Sequence, residues 1–470
     1  MSELTAATLA KWRADPEALS QALVMRRPDE TLGPPQWSER QRTWLRALAA
    51  REKGAPRHRT VAVIGPKRSG KTLVSAFSAI WKSLGEDRRS VFLANSRESA
   101  QSLGFETVKE LLARGPLAGT AEVQRGRIVF HGIGSEILAV PCSGRAVAGI
   151  GVSGLLVSDE LWAADDPEPW RLLSSQTEGT EAQTLMVSQT SGTDSDVYRT
   201  WKASQENAPG LWVDYIGPAD CEGDRNPNPY ITAEFLAQRR AALPDALFRQ
   251  YFLAAWGSAD NTFLAADVLA GCDEDYRFPR TADDWQAFRD RFAAGGPVGV
   301  GAGLDRAQPF AGRDESALAF VAKCPGETGA VFRLVELNIM ATGAEGEVLG
   351  CHKRAKDLFG RLNTICEIYQ SADLAPKLGA ELRHATGPAQ VGLFSELHRL
   401  AVEGRLKWPA GPEGDKIRGQ LATFRVDTSG PQPKFSGGSG KAVDDSVFGL
   451  AWGVQAAQEV RDRTIRLTII

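Results

Sequence analysis

The stretch Thr60-Val61-Ala62-Val63-Ile64-Gly65-Pro66-Lys67-Arg68-Ser69-Gly70-Lys71-Thr72 decides the fold of this chain. Its apolar, β-branched beginning predicts a short buried strand over 60–64, and the apolar run after it predicts a helix over about 72–84. Between them, Gly65 to Thr72 fits G-x-x-x-x-G-K-[ST] in full. A strand before such a loop and a helix after it place the loop amides where they can surround phosphates. Strand, phosphate loop and helix together open an α/β domain.

Working downstream, apolar runs at 91–94, 128–131, 136–140, 154–158 and 184–188 are separated by polar or helical stretches, as a mostly parallel sheet requires. Leu155-Leu156-Val157-Ser158-Asp159-Glu160 supplies the acidic strand end that a phosphate loop needs as its partner. In this reading Gly65, Pro66, Lys67, Arg68, Ser69, Gly70, Lys71 and Thr72 line the nucleotide, and Lys71 meets the β/γ-phosphates of ATP. Thr72 and Asp159 hold Mg2+, and Glu160 polarises the attacking water. Leu185-Met186-Val187-Ser188-Gln189-Thr190-Ser191 ends in small polar residues, with Gln189 beside the place of the γ-phosphate. Lys67, Arg68, or Arg145 in the glycine-rich stretch 144–151 is the source of transition-state charge.

The run PADCEGDRNPNP at 218–229 is rich in turn formers and reads as a linker, followed by a helix pair over about 232–255. A second α/β region opens at Gly295-Gly296-Pro297. Its strand Val298 to Leu304 is followed by strands at 316–322 and 331–340, a helix near 344–362 and a strand at 364–370. A glycine- and serine-rich hairpin at 428–440 precedes a last helix from Asp444 to about 460. Asp305, Asp373 and the pair Asp444-Asp445 thus fall at strand ends and a helix start. Carboxylates in that pattern can hold two Mg2+ ions about 4 Å apart for phosphodiester cleavage. Asp314 is a fourth candidate. Asp444 and Asp445 point about 100° apart on a helix, so spacing leaves open which of them binds metal.

Composition excludes whole classes. With 43% hydrophobic and 24% charged residues over 470 positions, disorder, collagen-like repetition and a disulfide mini-scaffold are ruled out. Lys and Arg total 55 against 58 Asp and Glu, a net charge of −3, which leaves room for a local basic channel but not a basic surface throughout. The six cysteines show no C-x-x-C pair, and Cys351 beside His352 lacks the further ligands of a zinc site, so reduced thiols are expected. No apolar run is long enough to span a bilayer and the start lacks a secretory pattern, so no membrane partner is expected.

Taken together, GPKRSGKT at 65–72, LLVSDE at 155–160, SQT at 188–190, GLDRA at 303–307, QSADLAP at 370–376 and VDDSVFGLAWG at 443–453 resemble the large terminase subunit of tailed bacteriophages. The resemblance implies a P-loop ATPase domain and a ribonuclease-H-like nuclease domain joined by a small helical linker subdomain. It divides the chain into an N-terminal helical segment (1–58), an ATPase domain (59–215), a linker subdomain (216–290) and a nuclease domain (291–470). Gln41 matches the family's adenine-gripping glutamine, with Trp37 stacking nearby, and 226–256 resembles the segment linking motor to nuclease. The nuclease acids become Asp305, Asp373, Asp444 and Asp445, served by Mg2+ or Mn2+. The position where many members carry an arginine is Lys67 here, and lysine lacks the bidentate fork.

The same resemblance implies a motor that moves double-stranded DNA into a procapsid and cuts the concatemer. Its partners would be a portal protein, a small terminase subunit and further copies of the chain in a pentamer, in the host cytoplasm. DNA contacts would go mainly to phosphate and be salt-dependent. The alternative is a cellular helicase- or repair-type ATPase fused to a nuclease, but a second motor-like domain is not legible after residue 260. A non-enzymatic nucleotide-binding scaffold would leave the ordered acids unexplained.

Overall fold

The structure is a computed structural model. It describes the chain outside residues 1–4, 28, 95–103, 161–167, 178–179, 193–194, 222, 224, 227, 229, 259–260, 307–315, 341–343, 431, 438–443 and 461–470. Asp314 and the tail 464–470 therefore lie outside the described residues. The chain divides into two compact units. One takes in Met1–Ala237, Phe248–Gly257 and Ser429–Pro431, and the other Gln238–Leu247, Ser258–Thr428 and Gln432–Ile470.

The first unit is built on an eight-stranded sheet among the described residues. Its strands are β1 (Thr60–Ile64), β2 (Arg89–Ala94), β3 (Ala121–Gln124), β4 (Arg127–Phe130), β5 (Glu136–Pro141), β6 (Leu155–Asp159), β7 (Gln183–Ser188) and β8 (Leu211–Tyr215), in spatial order β8-β1-β7-β6-β2-β5-β4-β3. From β8 to β5 every pairing is parallel, and only β5-β4-β3 is an antiparallel meander. The inner strands are apolar on both faces because both are covered. Val61, Val63, Leu155, Val157, Leu185 and Val187 enter one core, and Ala62, Ile64, Leu156 and Met186 enter the other.

Two helices of this unit position the site. Helix α1 (Glu39–Ala49) starts with a capping box in which Ser38 and Gln41 satisfy each other's backbone N–H groups. It is fixed to the sheet because Arg40 forks onto Asp214 of β8 and Trp44 Nε1 donates to the same carboxylate at 2.6 Å. Helix α2 (Lys71–Ser83) leaves the phosphate loop with Val74, Phe77 and Ile80 fully buried.

The second unit carries a seven-stranded sheet among the described residues. Its strands are β9 (Asp273–Glu274), β10 (Gly299–Asp305), β11 (Ser316–Cys324), β12 (Val331–Met340), β13 (Leu362–Glu367), β14 (Glu381–Arg383) and β15 (Leu406–Pro409), in the order β9-β15-β12-β11-β10-β13-β14. The antiparallel meander β10-β11-β12, followed by a helix and the parallel strand β13 on the other side of β10, is the ribonuclease-H-like plan. One face, with Val300, Ala302, Leu304, Leu318 and Phe320, packs on helix α4 (Glu345–Phe359), counting the intervening helix Asp245–Leu253 as α3.

The opposite face is covered by helix α5 (Asp445–Gln458) at backbone distance. A Cβ on Gly303 would lie 2.1 Å from Gly449 O and 2.2 Å from Gly453 N, and one on Gly301 would lie 2.1 Å from Ala457 N. Gly301 and Gly303 are there because helix and strand touch without side chains between them. The strand expected at 364–370 stops at Glu367 and turns into the short helix Ile368–Ser371, and the expected hairpin pairs Arg425–Asp427 with Lys434–Ser436. All six cysteines are free thiols, and among the described residues no helix is long and apolar enough to cross a membrane.

Candidate functional site

The phosphate loop emerges from β1 with Gly65 N donating to Ser188 O of β7 at 3.0 Å. Gly70, at φ +86°, makes the left-handed turn into α2, and a Cβ there would sit 2.1 Å from Gln41 Nε2. The positive φ is what favours glycine at this position. Lys71 is almost wholly buried, and its Nζ donates to Gly65 O, Pro66 O and Ser69 Oγ at 3.0, 2.7 and 3.3 Å. The cation lies folded on the loop's own carbonyls, and burial pushes its pKa down.

Thr72 Oγ1 donates to Asp159 Oδ2 at 3.2 Å, so the two residues assigned to Mg2+ are in contact. The other oxygen, Asp159 Oδ1, is buried with no hydrogen-bond partner. Burial first and the adjacent Glu160 second hold the Asp159 carboxyl well above the usual carboxylate range. An uncompensated buried acceptor beside a hydroxyl is the environment that a hard divalent cation relieves. Glu160 follows in a left-handed backbone conformation, φ +58°, and its Oε2 accepts from Gln189 Nε2 at 2.9 Å.

The loop residues Lys67 and Arg68 are held from downstream in the chain. Lys67 N donates to Tyr251 O at 2.6 Å, and Lys67 Nζ lies 3.7 Å from the centroid of the Tyr251 ring. Asn226 Nδ2 donates to Lys67 O and Asn228 Nδ2 to Arg68 O, while the Arg68 guanidinium lies over Phe235. Helix α3 and the segment after it also grip the end of β7. Thr190 Oγ1 donates to Ala255 O at 2.7 Å, Gln250 Nε2 to Thr190 O at 3.3 Å, and Gly257 N to Ser191 O at 2.9 Å. Trp256 is set among Tyr198, Trp201 and Tyr215, with ring centroids 4.9, 5.4 and 5.4 Å away.

Two residues assigned to adenine are engaged inside the protein. Gln41 accepts from Ser38 N and donates to Ser69 O at 3.1 Å, which makes it a brace of the phosphate loop in this state. Trp37 is buried, donates to Ser20 Oγ and meets Phe77 edge-on, as a core residue does. Arg145 is exposed on the short helix Gly144–Val147.

In the second unit three of the assigned acids, Asp305, Asp444 and Asp445, fall toward one end of the sheet. Gly303 lies under Gly449 and Gly453, while Gly301 lies under Gly453 and Ala457. Helix α5 therefore runs antiparallel to β10, and its start, with Asp444 and Asp445, comes over the strand end that carries Asp305. Strand β13 runs parallel to β10 with Gly303 beside Ile365 and Leu304 beside Cys366, so the next step of the ladder sets Glu367 level with Asp305. By alternation both face α5, as does Asn363, whose Nδ2 donates to Ala456 O. Sequence reading missed Glu367, because its place depends on where β13 ends.

Asp373, the assigned acid, lies beyond that end on an exposed turn, with Arg306 Nη1 on its Oδ1 at 2.7 Å. Glu367 is half-buried, and burial raises its pKa against the opposing influence of His384. Asp444 Oδ2 accepts from Gly437 N at 2.9 Å. Among the described residues no three His, Cys, Asp or Glu side chains are gathered as a ready metal site.

No family model matches the sequence, and no curated protein matches it. Among solved structures the chain is similar to the large terminase of a thermophilic bacteriophage, at a TM-score of 0.61 and 12% identity, over 89% of this chain and 99% of that one. The same terminase in complex with ADP matches at 0.61 and 12%, over 88% and 98%, and in complex with ATP-gamma-S at 0.59 and 12%, over 90% and 99%. The chain has the large-terminase fold.

Proposed function

We propose that this chain is the large subunit of a bacteriophage terminase: ATP hydrolysis in the first unit drives double-stranded DNA into a procapsid, and carboxylates of the second unit serve a metal-dependent endonuclease. The observation that carries the reading is the coincidence, in one chain of terminase fold, of a complete phosphate loop with the Thr72–Asp159 contact and the Glu160 carboxylate beside it.

In this proposal ATP draws Lys71 off the loop carbonyls onto the β/γ-phosphates, while the amides of Ser69, Gly70 and Lys71 take phosphate oxygens. Thr72 and Asp159 hold Mg2+, which when bound neutralises charge developing on the phosphates. Glu160 accepts the proton of the attacking water. Lys67, half-buried with its Nζ over the Tyr251 ring, supplies a further cation of the loop, as a point charge.

For the nuclease, Asp305, Glu367 and the start of α5 offer only hard carboxylate oxygens, which suit Mg2+ or Mn2+. When bound, such ions lower the pKa of water and steady the leaving oxygen. We place Glu367 in this set and give Asp373 the role of anchoring Arg306. A portal protein, a small terminase subunit and further copies in a ring are the partners the reading brings, in the host cytoplasm. Among the described residues the second unit carries a sheet of different plan from the phosphate-loop sheet, which weighs against the helicase alternative.

Two assays on the purified chain test the reading. With supercoiled plasmid and Mg2+ or Mn2+, the wild type should linearise DNA and Asp305→Asn should not. With ATP, the wild type should release phosphate and Lys71→Ala should lose at least about 100-fold in rate, the scale of a lost phosphate-stabilising group. Failure of the wild type in both assays would overturn the proposal.

A further inference from the structure

We infer that Gln189 is a positioning residue for Glu160, and not the contact to the γ-phosphate that its place in the sequence first implies. The inference rests on the ATPase reading above and assigns one residue of that site. Gln189 stands just beyond the end of β7, where the backbone is pinned on both sides. Ser188 O accepts from Gly65 N, Thr190 is tied to Ala255 and Gln250, and Ser191 O accepts from Gly257 N. Its side chain is 2% exposed, so it has one place to be.

Glu160, in contrast, follows the last residue of β6 in a strained left-handed turn, with its N–H donating to Val187 O of β7. A carboxylate on such a turn needs a second anchor if it is to present one oxygen to water in a fixed direction. Gln189 Nε2 provides that anchor on Oε2 at 2.9 Å. The turn and the anchor are both fixed to β7, which sets their mutual geometry.

The atom left over decides against a phosphate contact. Gln189 Oε1 is buried with no hydrogen-bond partner, and it is an acceptor. A phosphate oxygen cannot satisfy it, whereas a hydrogen of the attacking water can. A Leu or Met of similar size would fill the same space without the desolvation cost of that orphaned oxygen, which argues that the amide is kept for its donor.

Full-length Gln189→Leu, Glu160→Gln and the double variant test this in steady-state ATP turnover, with binding of ADP and ATP-gamma-S followed by displacement of a fluorescent nucleotide. Gln189→Leu should lower kcat by on the order of 10- to 100-fold with KM nearly unchanged. It should leave the affinity ratio of ATP-gamma-S to ADP within about twofold of wild type. Added to Glu160→Gln, the substitution should cause no further loss.

A selective fall in ATP-gamma-S affinity, or an additive loss in the double variant, would overturn the positioning role. Gln189→Glu separates this from misfolding, since it keeps size and polarity but sets a carboxylate against Glu160. It should be as slow as Gln189→Leu while binding ADP normally, and a rate near wild type would also overturn the role. Wild-type protein that binds ADP without any turnover would overturn the ATPase reading itself, an outcome recognisable before any variant is compared.

Discussion

Glu367 and Asp373 are close in sequence, yet their surroundings are chemically different. Glu367 closes a buried strand, level with Asp305, whereas Asp373 sits on a turn with its carboxylate on Arg306. Glu367→Gln should therefore abolish plasmid cleavage and weaken Mn2+ binding, read by the loss of free-Mn2+ signal in electron paramagnetic resonance, by at least about tenfold. Asp373→Asn should leave Mn2+ binding within about twofold, because the Asp373 carboxylate, itself exposed, is engaged by Arg306. The reverse result would return the metal role to Asp373.

What was legible at this scale followed locality. Lys71, Thr72, Asp159 and Glu160 each sit within an unbroken strand–loop pattern, so their roles can be assigned from neighbours along the chain. The Gln189–Glu160 bond joins residues just beyond the ends of adjacent parallel strands, and nothing in either segment alone records the register that brings them together. Gln41 shows the opposite limit. Its position ahead of the loop is legible, but the bond to Ser69 O that makes it a brace is not.

Among elements, α5 and β10 carry the strictest geometric demand. Their contact is backbone on backbone, so Gly303→Ala must push a methyl group into Gly449 O and Gly453 N. Overpacking of this kind costs about 3 kcal/mol or more where neither partner can give way. Chemical denaturation should show that loss, and plasmid cleavage should fall with it even in protein that remains folded, because the start of α5 is displaced from Asp305. Ala302→Gly, on the other face, should destabilise without uncoupling cleavage from folding. The order of strands and helices was legible from periodicity, since a strand, two strands, a helix, a strand and a last helix follow one another in the sequence. The closeness of α5 was not, because glycine in a strand equally marks a bulge.

On the scale of the molecule, the chain comprises two units with separate hydrophobic interiors, one on the two faces of the phosphate-loop sheet and one on the ribonuclease-H-like sheet. Each core is large enough to melt as its own cooperative step, so scanning calorimetry should resolve two transitions. ADP with Mg2+ should raise only the one assigned to the first unit, by about 2.7 kcal/mol when the nucleotide is at 100 times its Kd. Lys71→Ala should remove that shift and leave the other transition in place. A single transition displaced as a whole would contradict the separation.

The aromatic group around Trp256 has a consequence of a different kind. Trp256 and Trp201 stand 5.4 Å apart and Tyr215 is stacked on Trp256, on the segment whose backbone is bonded to Thr190 and Ser191 at the end of β7. Indole rings at that distance share their excited state, which gives circular dichroism a split band whose sign and size follow the angle between them. The chain thus contains its own chromophore pair next to the strand that carries Gln189, and any movement of that strand end is written into its ultraviolet spectrum without a label.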